Sequence, residues 1–467
     1  MIPRIDGFSE QRWPTLASSL QTGQIVYGKV EKIGANGMAF VRIGGELMEA
    51  EIQTPLQAGQ FYSFQVTKKE DTIVLKRLAS ERSDATIEQT ATQLVNKWRL
   101  SREMEPLLRF LLQKQLPFTK AEVVQAEKWL LATREKDVNF RALQMMFANR
   151  FPVTETVFSA LKAVQSPEPL AAQLLDLQRS LQMIPKQLLP EAQQSLLHEL
   201  ERMSHFLLDG KAGSELPQLV AKQMKALVQS LGLEYEASVA KHIQPPFHEG
   251  ERTNQRLVDD QQGETKDVLL HAVAKHIRST GLEYEANDAK HMQLPQALEG
   301  LKPLLLRAKQ EISDETTAKR IDTLIDRLTG QQLLSYENGP IQPLFIQLPF
   351  LFGKQTDVTI HYQTRKKQNG ELDPHYCRLL FYLQLPALKE IAVDVRIQHS
   401  IIHVSIWNDT PQLEHIVALT QPLLKERLAS FGYTLSTVKV NKTPAKKGRD
   451  ELFSRILNNY SGVDYRI

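Results

Sequence analysis

LPALKEIAVDVRIQHSIIHVSIWNDTPQLEHIVALTQPLLKERLASFGYTLSTVKV, residues 385–440, is the stretch from which the rest of the chain can be read. Ile391, Val393, Val395 and Ile397 alternate with Ala392, Asp394 and Arg396, and Ile402, Val404 and Ile406 alternate again after a short turn, the pattern of a half-buried hairpin. A helix is expected next, with Thr410 as N-cap before Pro411 and Gly432 ending it in a left-handed conformation. Leu413, Ile416, Val417, Leu423, Leu424, Leu428 and Phe431 form its apolar stripe and are expected to be its packing face. Pro422 removes one helical hydrogen bond and is expected to kink the helix or split it near Ala418. Thr434 to Val440 returns as a strand.

Upstream, strand signals recur at 343–350, 355–364 and 377–385, joined by the turn-like RKKQNGELDP. The opening stretch therefore closes a larger α+β domain, residues 339–441, with about six strands and one principal helix.

At the other end, period-two patterns over Gln24–Ile33, Met38–Ile43, Leu47–Ile52, Phe61–Thr67 and Thr72–Leu78 predict five short strands. Five strands in so little chain imply a small OB-like barrel over 24–80, preceded by a polar leader, 1–23. Tyr27, Phe40, Phe61, Tyr62 and Phe64 are expected to fill its core. Its basic residues, among them Lys29, Lys32, Arg42 and Lys76, are nearly matched by acids, so a packing or docking role is expected before a nucleic-acid one.

Between the two lies a helical array, 81–231. Leu116-Pro117-Phe118-Thr119 and Phe151-Pro152-Val153-Thr154 are 35 residues apart and give the same start signal: proline holds the approach extended and threonine caps the helix. Glu122 completes a capping box in the first copy. Val123, Val124, Trp129, Leu130, Leu131, Val157, Leu161 and Val164 are the expected packing residues. Over 232–338, GLEYEASVAKHIQPP (232–246) and GLEYEANDAKHMQLP (281–295) agree at eleven of fifteen positions, marking a duplicated segment with a charged linker between the copies. A tail with a basic run, 442–467, ends the chain and carries Lys442, Lys446, Lys447 and Arg449 before a short amphipathic helix.

With 467 residues and 42% hydrophobic composition, the chain has material for two to four cores. A net charge of +3 implies no general polyanion-binding surface. One cysteine, Cys377, excludes an internal disulfide and a cysteine-rich zinc site, and its apolar context makes it a small core residue. No apolar run reaches the roughly 20 residues that span a bilayer, and no secretory signal is recognisable, which places the chain in the cytoplasm and leaves export by a flagellar-type apparatus open.

No GxSxG elbow, phosphate loop or dinucleotide turn is present, so neither an enzyme nor a cofactor is expected. His242 and His291, one in each duplicated copy, have no second ligand at metal spacing, and HELERMSH at 198–205 is not a zinc-protease signature. No metal is expected. The remaining candidates are partner-binding residues: Asp394, Arg396, His403 and Trp407 on the polar side of the hairpin, with Lys442, Lys446, Lys447 and Arg449 as a clamp for an acidic partner.

The order of hairpin, proline-containing helix and strand, carried by LeuProAlaLeu at 385–388, the ValAspValArgIle and IleHisValSerIle strands and the SerPheGlyTyr helix end, resembles the carboxy-terminal domain of the flagellar hook-length control family. The helical array with its Pro-x-Thr starts resembles the central regions of the Gram-positive members. The resemblance implies a non-enzymatic protein of flagellar or flagellar-like type III export, whose C-terminal domain docks on the cytoplasmic domain of an export-gate protein and influences substrate specificity. A folded barrel stands where that family has a long polar front half, which sets length measurement aside. A nucleic-acid-binding adaptor using the barrel and basic tail is the alternative from another class, and a structural scaffold a third.

Overall fold

A computed structural model describes residues 20–34, 37–53, 56–69, 72–78, 86–132, 135–204, 300–336, 341–351, 356–366, 372–385 and 388–442. Both duplicated GLEYEA segments, with His242 and His291, and the tail from 443 onward, with Lys446, Lys447 and Arg449, lie outside them. The architecture is multidomain α+β: a closed N-terminal barrel, a run of helices, and a C-terminal sheet with its own helix. Two compact units divide the chain between Phe158 and Ser159, inside the expected helical array.

The first unit holds the barrel, β1 (Ile25–Ile33), β2 (Met38–Ile43), β3 (Glu46–Ile52), β4 (Phe61–Lys69) and β5 (Thr72–Arg77), in the order β1-β2-β3-β5-β4. Alternation along the strands sends Val26, Val30, Val41, Ile43, Tyr62, Phe64 and Val66 inward. Leu20, expected in the leader, is fully buried in the same core. The aromatics divide by the same alternation: Tyr62 and Phe64 are core, whereas Phe61 turns outward and stacks on Tyr27, ring centroids 5.5 Å apart. The expectation of a wholly internal aromatic set therefore fails for Tyr27, Phe40 and Phe61, Phe40 being half-buried on the outer side of β2 between the inward Ala39 and Val41. At Gly28 the barrel closes tightly, for a Cβ there would lie 2.6 Å from the Ile43 side chain and 2.9 Å from Arg42 O.

Helices α1 (Ile87–Trp98), α2 (Glu105–Gln113), α3 (Lys120–Ala132) and α4 (Lys136–Ala148) complete this unit. The sequence signals act as expected: Glu122 N donates to Thr119 Oγ1 (3.2 Å) while Thr119 N donates to Glu122 Oε2 (2.7 Å). The Leu-Pro-Phe-Thr start does more than begin α3. Phe118 exchanges both backbone hydrogen bonds with Ile25 (2.7 and 3.1 Å), so the approach to the helix is a bridge onto β1. Gly44 N adds a bond to Gln115 Oε1 (2.8 Å). The second start, Thr154, caps α5 (Glu155–Ala163) through Val157 N (3.4 Å).

In the second unit, α6 (Leu170–Gln182), α7 (Glu191–Ser204), α8 (Leu301–Glu311) and α9 (Glu315–Leu334) pack on a six-stranded sheet. Its strands, β6 (Ile341–Pro349), β7 (Asp357–Lys366), β8 (Leu372–Leu385), β9 (Lys389–Gln398), β10 (Ile401–Trp407) and β11 (Thr434–Asn441), run in the order β11-β10-β9-β8-β7-β6. All neighbours are antiparallel except β10 and β11, which are parallel and joined by α10 (Leu413–Ser430). Ile346, Leu348, Val358 and Ile360 form one core with the helices, and Ile402, Val404 and Leu435 form a smaller one with Leu428 and Tyr433 beside α10.

Candidate functional site

Register across the sheet fixes which side chains can act together. Gln363, Arg378, Arg396, His403 and Thr437 lie opposite one another in five successive strands, and Leu380, Asp394, Ser405 and Lys439 form the next row. Trp407, opposite Ala392, belongs to the row beyond. Asp394, Arg396, His403 and Trp407 therefore share one face, as the alternation implied, and Lys439 joins them.

Asp394 is the floor of this face, not a contact group. Its side chain is 1% exposed and accepts from two guanidiniums: Arg378 through Nε (2.8 Å) and Nη2 (2.9 Å), and Arg396 through Nε (3.1 Å) and Nη2 (3.0 Å). Burial alone would raise its pKa, but the hydrogen bonds and charges of Arg378 and Arg396 outweigh burial and hold the carboxyl below its ordinary value. Arg378 was missed from sequence because it sits inside the apolar run CRLLFYLQL. The signal was there, since period two sets Arg378 opposite the polar side of the next strand. His403 is exposed, with Nδ1 3.2 Å from Thr437 Oγ1, and Trp407 is half-buried. Lys442 is exposed beyond the end of β11.

The opposite face carries α10, where three expectations change. Thr410 is not the N-cap: the helix begins at Leu413 after Gln412, which is left-handed (φ 71°) and makes no capping bond. Asn408 organises this approach instead, donating to Leu388 O (2.6 Å) and Glu390 O (2.8 Å) and accepting from Thr410 N (2.9 Å), which ties the start of the helix to β9 and fixes where the chain turns. Pro422 does not split the helix, which runs unbroken from Leu413 to Ser430. At the far end Gly432 is left-handed (φ 78°), as expected, and the Tyr433 N–H reaches back to Leu428 O (2.9 Å) while Gly432 N–H reaches Ala429 O (3.0 Å).

The third change concerns the stripe itself. Only Leu413 is buried. Val417 and Leu428 are partly covered, whereas Ile416 (49%), Leu419 (68%), Leu423 (54%), Leu424 (40%) and Phe431 (49%) are exposed. At 100° per residue, Leu413, Val417 and Leu428 share the side against the sheet, and Ile416, Leu419 and Leu423 form a second apolar row beside it. The expected stripe takes Ile416 and Leu423 together with the seam and leaves out Leu419, because all are apolar and only the width of the arc separates the rows; Leu424 and Phe431 fall on the seam's arc and are exposed nonetheless. A helix this apolar around so much of its circumference has more surface to bury than its own sheet supplies.

On the barrel, Phe61, Lys29, Arg42 and Leu47 are outward neighbours across β4, β1, β2 and β3. Glu31 takes both cations, Arg42 Nε at 3.0 Å and Lys29 Nζ at 3.3 Å, and the Arg42 bond leads in holding its carboxyl below the usual range. Among the described residues no group of three or more His, Cys, Asp or Glu could hold a metal ion, and no helix is long and apolar enough to cross a membrane. Cys377 is half-buried in β8, and burial pushes its thiol up to about 11, the behaviour of an inert packing residue.

Comparison with known proteins adds two likenesses. Residues 4–76 match the model of the TP0910 S1-like domain, a match that starts within the stretch expected to be leader and ends in β5. The whole chain is similar to the uncharacterized protein YlqG of Bacillus subtilis (strain 168), 23% identical, with 93% of this chain and 92% of that one covered. No solved structure matches.

Proposed function

We propose that this chain is a non-catalytic binding protein of flagellar or flagellar-like type III export, and that its C-terminal domain docks on the cytoplasmic domain of an export-gate protein. The observation that carries the reading is the exposed row Ile416, Leu419 and Leu423 on a helix already anchored to its own sheet by Leu428, with Leu413 buried at its start. The resemblance of residues 340–440 to the hook-length control domain supplies the kind of partner. Burying such a row against a complementary apolar surface contributes about 1.5–3 kcal/mol per fully covered side chain.

The test is calorimetric titration of the full chain with the purified cytoplasmic domain of the host's export-gate protein. Expected are saturable binding with a negative heat-capacity change, and loss of that binding in a Leu419→Glu, Leu423→Glu double variant that melts like the parent. Absence of binding at ~100 μM, where even weak specific complexes form, removes the reading.

A second reading has its own support. The likeness of residues 4–76 to an S1-like domain, with Phe61 facing outward beside Lys29 and Arg42, suits a single-stranded nucleic acid stacked on the barrel. Glu31 counts against it by neutralising both cations. That reading requires binding of a single-stranded oligonucleotide that weakens steeply with salt and with Phe61→Ala; no binding at low salt eliminates it.

A further inference from the structure

The sheet face opposite α10 is net positive among the described residues: Arg378, Arg396 and Lys439 stand against Asp394 and, near the start of β9, Glu390. Arg378 engages both oxygens of Asp394 and suffices to neutralise it. Arg396 then adds two donors to an oxygen already bonded, at 3.1 and 3.0 Å, and remains 59% exposed. Two arginines directly opposite each other on neighbouring strands repel, so the second one costs stability that a single shared carboxylate only partly recovers.

What the arrangement does achieve is orientation. Asp394 grips Arg396 by Nε and Nη2, which fixes the guanidinium plane while the side chain stays 59% exposed. A guanidinium held in this way presents donors that match a carboxylate without the usual loss of side-chain freedom. His403 lies beside it in the same row, exposed, and Lys439 stands two strands across and one step along, about 10 Å and about 7 Å away by sheet spacing. Lys439 is exposed and makes no ion pair among the described residues. Trp407, half-buried on the same face, and Ile401, 42% exposed, give apolar footing at either end.

We infer that this face is a docking site for an extended, carboxylate-bearing segment of another protein, with one acid on Arg396 and His403, a second on Lys439, and an apolar residue on Trp407. A protein segment fits better than a nucleic acid. The cations are few, interleaved with apolar groups and spread over one sheet face, whereas a nucleic-acid backbone calls for a continuous basic track of several phosphate contacts. The site is on the other side of the sheet from the apolar row of α10 and does not depend on that row having a partner.

The experiment uses the full chain and a short fluorescein-labelled peptide in which Glu alternates with Leu, followed by fluorescence anisotropy. Arg396→Gln, which leaves the Arg378–Asp394 pair intact, and Lys439→Glu, a surface change, should each weaken binding at least about tenfold, and Lys439→Arg should not. The same peptide with Gln in place of Glu should not bind, and Leu419→Glu should bind the Glu peptide as the parent does, which separates this site from the helix. Equal binding of the Gln peptide, indifference to Arg396→Gln and Lys439→Glu in proteins of unchanged circular dichroism, or displacement by a single-stranded oligonucleotide at lower concentration than by unlabelled peptide would each overturn the inference.

Discussion

The two ends of the six-stranded sheet solve the same problem in opposite ways. At β6 the edge is sealed by a helix: Gln331 in the last turn of α9 and Ser335, which caps it, accept the N–H groups of Gln347 and Phe345 at 2.8 and 2.9 Å. Behind that seal Arg327, fully buried, donates to Gln347 Oε1 (2.8 Å), Glu168 O (2.7 Å) and Gln173 Oε1 (2.9 Å) and pairs with Asp357 at 3.5 Å. Asp357 in turn accepts the N–H groups of Leu170 and Ala171 at the start of α6. At the β11 end α10, the one helix that covers it among the described residues, lays down a few side chains and leaves a row of leucines and an isoleucine exposed. A helix that satisfies backbone groups and buries arginine holds the domain together; a helix that rests on the sheet by one seam holds a surface in place.

If that division is right, the largest effect of substitution belongs to the β6 end. Arg327→Met removes a fully buried donor from four acceptors at once, of which the Gln347 amide is itself buried, and should destabilise the second unit by about 3–5 kcal/mol, the usual range for one partner of a buried ion pair. Differential scanning calorimetry should show one transition displaced while that of the first unit stays. Gly330→Ala should follow, at about 1–3 kcal/mol. A Cβ there would lie 2.3 Å from Ala160 O and 2.8 Å from Val164 Cβ, so α5 and α9 must separate. An unchanged melting profile for both would mean that the tight end is not where stability resides.

Acid should unfold the two ends in different ranges. His361, buried in β7, is held neutral, its pKa pushed down from 6.5 to about 3 by burial first and the charge of Arg378 second. The unfolded chain binds a proton there that the folded chain refuses, so stability contributed by this end is full above pH 6.5 and declines between 6.5 and about 3. Asp394 has a folded pKa below its ordinary 3.8, so its contribution is full above 3.8 and is lost only as pH falls through the lower value. Melting temperature against pH should therefore lose its slope between 6.5 and 3 in His361→Phe and keep it in Asp394→Asn. Asp394→Asn should cost about 2 kcal/mol at neutral pH, because two facing arginines lose their counter-charge.

How far the sequence alone reveals this contrast depends on the period of each element. Strand alternation placed most strands of the sheet and barrel close to their true limits, apart from β8, which begins at Leu372 inside the stretch expected to be a turn, and set Asp394, Arg396, His403 and Trp407 on one face, because in a strand neighbouring residues point opposite ways and register can be counted. The capping box at Thr119 and the left-handed Gly432 were equally readable, being local. What depended on distant partners was not. Arg327, Gln331 and Ser335 look like an ordinary polar helix end until β6 is laid against them. Asn408 reads as a turn residue until its amide is seen bonded to Leu388 and Glu390. Helical spacing marks apolar residues without saying how many sides of the helix are covered, which is why the α10 stripe was expected to be core.

The smallest effect is the one that tests the division most sharply. Leu419 and Leu423 are 68% and 54% exposed, so replacing them by glutamine removes little apolar area from contact and should change stability by no more than about 0.5 kcal/mol. Leu428→Ala, nine residues past Leu419 but on the seam that meets Leu435 and Tyr433, takes a partly buried side chain from the smaller core and should cost more, about 1–2 kcal/mol. A near-zero result at Leu419 and Leu423 beside a measurable loss at Leu428 means that two apolar rows on one helix have different duties, one to hold the helix on its sheet and one held ready for a surface outside the domain. Equal losses at all three would mean that the outer row is already packed in solution, and the helix would then belong with the sealed end of the sheet.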